Sequence, residues 1–259
     1  MLLDFLRRGR AAVATPVLQR AAVPPGLRVY AFGDLHGRAD LAARLAAAID
    51  ADVAANPIPK TLVIGLGDYI DRGPNSFEVI ATLLSIAVRY RAAFIKGNHE
   101  AMLLDFLQRP LAAGPGWIDM GGAEFLQSYG VRAGVRVGRG EELERMRSEL
   151  AARLPPEHLL FFSRLSLSQI VGDYFFVHAG VRPGVALSEQ RERDLLWIRT
   201  GFADRDAPFE KIVVHGHTPT KEPFDGRHRI NLDTGAYATG RLTCLALEGE
   251  ARRFLEITA

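Results

Sequence analysis

The sequence predicts an α/β fold, and three observations support that prediction. Short apolar runs typical of buried strands recur along the chain. Segments with helical periodicity separate the first three runs, which favours parallel pairing of those strands. A polar cluster directly follows five of the runs. Because open α/β sheets bind ligands at the carboxyl ends of their strands, the pattern predicts a functional site at that edge.

Composition limits the classes of protein that the chain can belong to. Its 259 residues are 48% hydrophobic, enough for a sizeable core, and its net charge of +2 is too small to indicate a nucleic-acid or anionic-membrane partner. The sequence shows no apolar stretch approaching the roughly 20 residues that span a bilayer, and no secretory signal. The single cysteine, Cys244, stands in an apolar run and is predicted to be a core residue. We therefore expect a cytoplasmic protein without nucleic-acid or membrane partners.

Strands and helices are predicted to alternate through the first hundred residues. Ser76 is expected to cap the second helix and Pro110 to stop the third one. The predicted elements are a strand at 27–32, a helix at 39–49, a strand at 62–64, a helix at 76–88, a strand at 93–95 and a helix at 102–107.

The alternation breaks between residues 101 and 170. Gly114-Pro115-Gly116 and Gly121-Gly122 have the composition of loops, and residues 141–154 form a charged segment typical of a helix. We interpret this region as a helical and loop insertion that covers one face near the site, in which Trp117 has a structural role. The insertion belongs to a single catalytic domain, residues 27–259, preceded by a flexible or loosely docked leader, residues 1–26.

Strand character returns in the second half of the chain. Runs at 174–177 and 212–214 lead into His178-Ala179-Gly180 and His215-Gly216-His217, and a run at 229–232 leads into Asp233. Asp233 is interpreted as a residue of a turn or as a support for a ligand. The segment 242–257 reads as two antiparallel strands about Gly249.

The stretch from Gly67 to Gly73 is the most informative one in the sequence. Asp68, Asp71 and Arg72 follow a buried strand within five residues, between glycines. Burying three charges without partners would cost roughly several kcal/mol for each charge. A metal ion or an anion among these side chains would remove that cost.

The polar clusters together provide ligands for two metal ions. These residues offer carboxylate, imidazole and amide groups but no thiolate, a set that suits manganese, iron or zinc. Six ligands suit two ions about 3.5–4 Å apart that share one carboxylate and activate a bridging hydroxide for in-line attack on phosphorus. The candidate ligands are Asp34, His36, Asp68, Asn98, His178 and one of the two histidines His215 and His217.

Four further side chains are candidates for catalysis and phosphate binding. His99, next to Asn98, is the best-placed acid for the leaving oxygen, and Asp71 could orient its imidazole and keep it protonated. Arg72 can bind two phosphate oxygens with its guanidinium, and Arg199 could be a second clamp.

These residues resemble the metal-dependent phosphoprotein phosphatases of the calcineurin-like metallophosphoesterase group. The family's GDxHG, GDxxDRG and GNHE signatures stand at residues 33–37, 67–73 and 97–100. Single-histidine elements match at His178-Ala179-Gly180 and Gly216-His217-Thr218, and residues 195–199 resemble those of small bacterial members. The resemblance covers roughly residues 28–248.

The resemblance implies a fold and a set of residue roles. The fold is a central β-sandwich of mixed sheets flanked by helices, with the site at the sheet edge. The cofactor is a pair of divalent ions, with Mn²⁺ expected and Fe or Zn as alternatives. The resemblance also selects His217 over His215 and assigns His99 as acid, Asp71 as its partner, and Arg72 and Arg199 to phosphate. One ion would bind Asp34, His36 and bridging Asp68, and the other Asp68, Asn98, His178 and His217.

The leading functional prediction is a phosphomonoesterase acting on phosphoserine or phosphothreonine in a phosphorylated protein. The alternative is a symmetrical dinucleoside tetraphosphate hydrolase, and those enzymes typically carry alanine at the position of Asp71 and aspartate at that of Glu100. A phosphodiesterase or nuclease would usually show GHxH, where this chain has Pro219. A non-catalytic metal- or partner-binding protein would have lost the acid or a ligand, and neither is lost here.

Overall fold

The computed structural model describes residues 20–133 and 140–259, and within these ranges two five-stranded mixed sheets form a sandwich flanked by helices. This architecture confirms the predicted fold class. In chain order the strands are β1 (Leu27–Phe32), β2 (Lys60–Gly65), β3 (Arg91–Phe94), β4 (Ser168–Val171), β5 (Tyr174–Val177), β6 (Ile212–His215), β7 (Phe224–Asp225), β8 (Arg229–Asn231), β9 (Arg241–Glu248) and β10 (Ala251–Thr258). The α-helices are α1 (Ala39–Ala55), α2 (Ser76–Arg89), α3 (Asn98–Gln108), α4 (Pro110–Trp117), α5 (Ala123–Ser128), α6 (Gly140–Arg153), α7 (Pro156–Ser163), α8 (Glu192–Trp197) and α9 (Ala236–Thr239).

Each sheet has three adjacent parallel strands with antiparallel strands beside them. The first sheet has the order β10-β9-β1-β2-β3, in which β1, β2 and β3 are parallel and β9 is antiparallel to β1. The second sheet has the order β4-β5-β6-β8-β7, in which β5, β6 and β8 are parallel. The helices α1 and α2 connect the parallel strands of the first sheet, as the helical periodicity between these strands predicts.

Successive residues of a strand are buried on opposite faces of the sheet, in two different parts of the hydrophobic core. Val29 and Ala31 of β1 pack with Tyr174 and Phe176 of β5, so they fill the space between the sheets. Tyr30, on the other face of β1, packs in a separate cluster with residues of α1 and α2. Burial on both faces explains why these strands read as continuous apolar runs in the sequence.

The carboxyl ends of the six parallel strands carry nearly all of the predicted site residues. β1, β2 and β3 lead into Asp34, Asp68 and Asn98, while β5 and β6 lead into His178 and His217. The short strand β8 leads into the sixth cluster, around residue 233. The location predicted from the sequence therefore has a direct topological cause.

The insertion is more helical than its glycines and prolines indicate. α3 ends at Gln108, with Arg109 as its cap residue directly before Pro110, as predicted, and Pro110 itself lies in the first turn of α4, where a missing N–H is tolerated. Gly114-Pro115-Gly116 lies inside α4, so that loop prediction was wrong, whereas Gly121 has non-helical backbone angles (φ 108°, ψ 13°) at a kink between two helical segments, as a loop glycine would. A β-carbon on Gly114 would lie 2.7 Å from Leu143 Cδ2, and this close approach of α4 and α6 accounts for the glycine.

Ser76 also differs from its predicted role. Asn75 occupies the cap position of α2, and Ser76 is the first residue of the helix. Its hydroxyl instead accepts a hydrogen bond from the backbone N–H of Asp71, at 3.1 Å. The serine therefore holds the loop that carries the predicted site residues.

The last residues of the predicted leader pack against the domain. Residues 1–19 lie outside the described residues. Ala21 and Val23 are buried in the core between the sheets, and Val23 N–H donates to Gly249 O at 3.0 Å. Cys244 is buried in β9, in agreement with its prediction as a core residue.

Across the described residues, none of the helices combines the length and the apolar composition needed to cross a membrane.

Candidate metal and phosphoryl-transfer site

The site centres on the loop between β2 and α2, which contains Asp68. Glu100, in the first turn of α3, holds this loop through hydrogen bonds to its backbone. Its carboxylate accepts hydrogen bonds from the backbone N–H groups of Asp68, Tyr69 and Gly97 at 2.8–2.9 Å, and the side chain is fully buried. A β-carbon on Gly97 would lie 2.1 Å from Asp68 Oδ1, so only glycine fits where α3 begins. The two strand ends are therefore locked together at Asp68.

Backbone strain is concentrated at the predicted site residues. Positive φ is uncommon in residues other than glycine and costs about 1–3 kcal/mol when the surroundings impose it. Within the described ranges, each of the five non-glycine residues with positive φ is a predicted site residue. They are His36 (43°), Asp68 (52°), Asp71 (70°), Arg72 (64°) and His217 (66°).

Three histidine rings surround the Asp68 carboxylate. Nε2 of His36 lies 3.6 Å from Oδ2, Nε2 of His99 lies 3.9 Å from Oδ2, and Nε2 of His178 lies 3.4 Å from Oδ1. Asn98 Oδ1 is 2.9 Å from the same nitrogen of His178. In the part of the chain that the structure describes, two groups of His, Cys, Asp or Glu could hold an ion, and both contain Asp68. They are His36, Asp68 and His99, and Asp68, His178 and His217.

Backbone carbonyls fix how two of these rings are oriented. Nδ1 of His36 lies 2.9 Å from Ile70 O, and Nδ1 of His178 lies 2.9 Å from Leu66 O. A carbonyl can only accept, so each Nδ1 carries the hydrogen and each Nε2 keeps its lone pair. That arrangement is the usual one for histidines that bind metals.

The structure places His217, and not His215, next to Asp68. His217 Nδ1 lies 3.2 Å from His178 Nε2, while its own Nε2 accepts a hydrogen bond from Arg199 Nε at 3.1 Å. His215 is buried on the other side of the sheet against Phe202, with Nε2 3.3 Å from Arg229 Nη1. The two histidines that the sequence left as alternatives therefore have different surroundings.

Asp34 lies at the edge of the cluster and belongs to neither three-residue group. Its two oxygens accept from the backbone N–H of His217 at 3.3 and 3.2 Å. A β-carbon on Gly216 would lie 2.2 Å from Asp34 Oδ1, which explains the glycine between the two histidines. Asp233 is buried nearby, where its Oδ1 accepts from Gly235 N–H at 2.9 Å, as a residue of a turn would.

His99 forms a buried pair with Asp71, as the sequence predicts for the acid and its partner. Its Nδ1 is 2.7 Å from Asp71 Oδ2, and both residues are fully buried. Trp117 Nε1 donates to the same carboxylate oxygen at 2.9 Å. Arg72 Nη2 lies 3.2 Å from the other ring nitrogen, Nε2, so the guanidinium and the candidate acid face the same space.

Electrostatics keep Asp68 and the histidines around it that are candidate ligands in the protonation states that metal binding requires. Burial lowers the pKa of His36 and of His217 to about 3, and burial also lowers the pKa of His178. Burial would raise the pKa of Asp68, but the surrounding histidines, led by His178, bring that pKa below its ordinary value. Neutral imidazoles and an ionised carboxylate are the forms that bind divalent ions.

The residues present fit a pair of divalent ions. Burial, then the negative charges of Asp233 and Asp68, raise the pKa of Asp34 well above its ordinary value, and a divalent ion bound beside Asp34 would offset that charge. Asp71 Oδ1 is buried without a hydrogen-bond partner among the described residues. Oxygen and nitrogen ligands of this kind suit Mn²⁺, Fe or Zn²⁺ rather than a soft metal.

Two contacts from the insertion were not predicted. Trp117 was interpreted as structural, yet its indole N–H donates a hydrogen bond to the Asp71 carboxylate. Gly121 O accepts from Arg72 N–H at 3.1 Å, and Gly121 has φ of 108°. No local sequence pattern indicates either contact, since each joins segments about fifty residues apart through the packing of α4.

The chain matches the family model of the calcineurin-like phosphoesterases over residues 27–245. It therefore belongs to this family and is a phosphoester hydrolase of the metallophosphoesterase type, which confirms the coarser part of the functional prediction. Members of this family use divalent metal ions. The finer prediction of a protein phosphatase stays a prediction.

Two relatives are named for the hydrolysis of dinucleoside tetraphosphates, and not for that of phosphoproteins. A bis(5'-nucleosyl)-tetraphosphatase PrpE of the asymmetrical type from Anoxybacillus flavithermus is 27% identical over 234 residues, covering 83% of this chain and 88% of the relative. An identically named protein from Bacillus cereus strain Q1 is 24% identical over 236 residues, with the same coverage of 83% and 88%.

Solved structures share the fold. A crystal structure provisionally assigned as a diadenosine tetraphosphatase has a TM-score of 0.58 at 19% identity, covering 92% of this chain and 97% of its own. A protein serine/threonine phosphatase from Saccharomyces cerevisiae has a TM-score of 0.51 at 14% identity, covering 91% and 81%. At these identities the likeness concerns the fold alone.

Proposed function

We propose that this protein is a metal-dependent hydrolase of dinucleoside tetraphosphates that cleaves them asymmetrically, into a nucleoside triphosphate and a nucleoside monophosphate. The main observation in support of this proposal is that an arginine lies beside each candidate ligand group. Arg72 contacts His99, and Arg199 contacts His217. A tetraphosphate bridge has more charge and length than a monoester and can engage both guanidiniums. The names of the PrpE relatives support the same substrate class.

The proposed roles follow from the contacts. Asp34, His36 and Asp68 would hold one ion, and Asp68 would be shared with a second ion. When bound, divalent ions, with Mn²⁺ as our first choice, would supply hydroxide near neutral pH and neutralise phosphoryl oxygens. The ligands proposed for the second ion are Asp68, Asn98, His178 and His217.

His99 is the proposed proton donor to the leaving oxygen. Asp71 Oδ2 bonds to Nδ1 of the ring, and Trp117 Nε1 donates to the same carboxylate oxygen, so the ring is fixed with Nε2 facing Arg72. Both residues are buried, and His99 would deliver a proton from Nε2 to the leaving oxygen once the Arg72 guanidinium turns from that nitrogen to a phosphate oxygen. Arg72 and Arg199 would bind the phosphate oxygens on either side.

A protein serine/threonine phosphatase is the second candidate. The specific observation in its favour is the intact Asp71–His99 pair together with Glu100, since symmetrical tetraphosphate hydrolases typically carry alanine and aspartate at the Asp71 and Glu100 positions. Its partner would be a phosphorylated protein, and its chemistry would use the same residues on a monoester.

A side-by-side assay separates the two candidates. With Mn²⁺ present, we expect kcat/KM for diadenosine tetraphosphate to exceed that for a phosphothreonine peptide by at least about tenfold, a difference of about 1.4 kcal/mol in transition-state stabilisation. Chromatography should show ATP and AMP as the products. Asp68→Asn protein, purified in the same way, serves as the control for contaminating hydrolases.

Each other outcome has a defined meaning. Two ADP molecules as products would replace the asymmetrical assignment by the symmetrical one. A preference for the peptide would overturn the proposal in favour of the protein phosphatase.

A further inference from the structure

Two half-exposed aromatic rings lie next to the candidate metal ligands. In the part of the chain that is described, three aromatic side chains are at least 36% exposed: Phe77 (36%), Trp197 (41%) and Tyr237 (42%). Phe77 packs on Tyr129 and His158, neither of which is a predicted site residue, with ring centroids 5.3 and 4.8 Å apart. The other two rings each contact a predicted metal-binding histidine, so their position is not that of ordinary surface residues.

Tyr237 stands over the first ligand group. Its ring meets His36 edge to face, with centroids 5.4 Å apart and an interplanar angle of 83°. Arg72 Cζ lies 4.9 Å from the centroid of the tyrosine ring, within the range of a cation–π contact. The residue sits on the four-residue helix α9, between Gly235 and Gly240, which both have left-handed φ values. The ring is therefore held in place while much of its surface remains open.

Trp197 stands in the corresponding place at the second ligand group. It is the last residue of α8, and its ring meets that of His217 at 83° with centroids 6.2 Å apart. Two residues later, Arg199 donates to the same histidine through Nε. The chain has two tryptophans, and the other one, Trp117, is fully buried. An indole left two-fifths exposed at a charged site has a large apolar face available for a ligand.

We propose that Tyr237 and Trp197 are stacking platforms for the two nucleobases of the substrate. This inference rests on the proposed function and names the residues that distinguish a dinucleotide from other phosphate esters. A dinucleoside tetraphosphate has the order base, phosphates, base. The site has the matching order of an aromatic ring with its arginine, the Asp68 cluster, and a second arginine with its aromatic ring. Stacking needs only an open ring face and accepts any base.

A substrate ratio tests the proposal by kinetics. We compare kcat/KM for diadenosine tetraphosphate with kcat/KM for inorganic tripolyphosphate, which has the charge but no base. Tyr237→Leu and Trp197→Leu are each expected to lower this ratio about 5- to 150-fold, the range that corresponds to one lost base–aromatic stack. Tyr237→Phe and Trp197→Phe keep a ring and should retain most of the ratio. Phe77→Leu, which removes an equally exposed ring elsewhere, should leave the ratio within about twofold, since surface substitutions away from a site have small effects.

A binding measurement tests it without catalysis. ADP should quench the tryptophan fluorescence of the native protein, whereas inorganic pyrophosphate, the base-free control, should not. Quenching by ADP should disappear in Trp197→Phe, in which the buried Trp117 is the remaining tryptophan.

The two assays separate the inference from the function on which it rests. If the native protein does not cleave diadenosine tetraphosphate, the proposed function fails, and quenching by ADP that depends on Trp197 would still support the base site. If the native protein cleaves it but neither leucine variant lowers the ratio, the stacking proposal is overturned while the function stands. Absence of quenching by ADP overturns the platform at Trp197 in either case.

Discussion

Asp68→Asn is expected to remove bound metal from both halves of the site and to abolish measurable hydrolysis. Both candidate ligand groups contain this one carboxylate, which lies 3.4–3.9 Å from the Nε2 atoms of three histidines. Loss of a hydrogen-bond partner of a metal ligand already costs about 10–100-fold in affinity or activity, so loss of a ligand shared by two ions must cost more. We expect kcat/KM to fall by more than the about 10²–10⁴-fold that a general acid contributes.

Asparagine is a suitable replacement for Asp68 because it removes the negative charge but still tolerates the backbone conformation at this position. Asp68 has φ of 52°, and asparagine tolerates the left-handed region better than alanine does. The metal content of dialysed protein, measured by mass spectrometry, should fall from two ions to fewer than one per chain. Asp119→Asn removes the same charge from an exposed position in the insertion and should keep two ions. An Asp68→Asn protein with two ions bound would show that the carboxylate is not shared.

His99→Asn is expected to lower kcat for diadenosine tetraphosphate about 10²–10⁴-fold while leaving the metal content unchanged. The ring supplies the proton that the leaving phosphate oxygen takes up, and asparagine cannot. The loss should be larger still for a phosphothreonine peptide, because its alkoxide leaving group is far more basic than a nucleotide phosphate. His228→Asn makes the same exchange at a partly exposed histidine away from the site and should change neither quantity.

The metal content of the His99 variant decides between two interpretations of the geometry. His99 Nε2 is 3.9 Å from Asp68 Oδ2 and could itself reach an ion, in a group that does not include Asp34. Its Nδ1, however, is already paired with Asp71. Loss of one ion in His99→Asn would make this histidine a ligand and would contradict its role as the acid.

Local sequence predicts much of this site because the ligands follow strand ends. Asp34, Asp68 and His178 each stand one to three residues after a buried strand, and parallel strands bring such positions to one edge. The same argument cannot separate His215 from His217. That choice depends on which ring turns towards Asp68, and His215 ends β6 with its side chain on the opposite face, against Phe202.

The insertion was harder to predict because tertiary packing overrides its local composition. Gly114 reads as a loop residue, but it lies in a helix where α4 and α6 approach closely. Trp117 reads as a core residue and is one, with its ring 4.7 Å from that of Phe106, yet its N–H also reaches Asp71. A single side chain serves the core and the site, and only the packing of α4 makes the second role visible.

The substrate class depends on residues that are separated along the chain. Asp71 and Glu100 favoured a protein phosphatase in the sequence, because symmetrical tetraphosphate hydrolases typically carry alanine and aspartate at these two positions. The two exposed rings that favour a dinucleotide come from α8 and α9, forty residues apart, and neither forms a recognisable motif. Their relation to the metal ligands is a property of the fold.

The most direct test of the central claim, two ions on one shared carboxylate with His99 left as the acid, is anomalous diffraction from crystals of the Mn²⁺-loaded protein. We predict two manganese positions, both in contact with Asp68, and His99 bonded to Asp71 without a metal contact. A single position, or a second one bound by His99 in place of Asp34, would contradict this account. The remaining predicted ligands are Asp34 and His36 on one ion, and Asn98, His178 and His217 on the other.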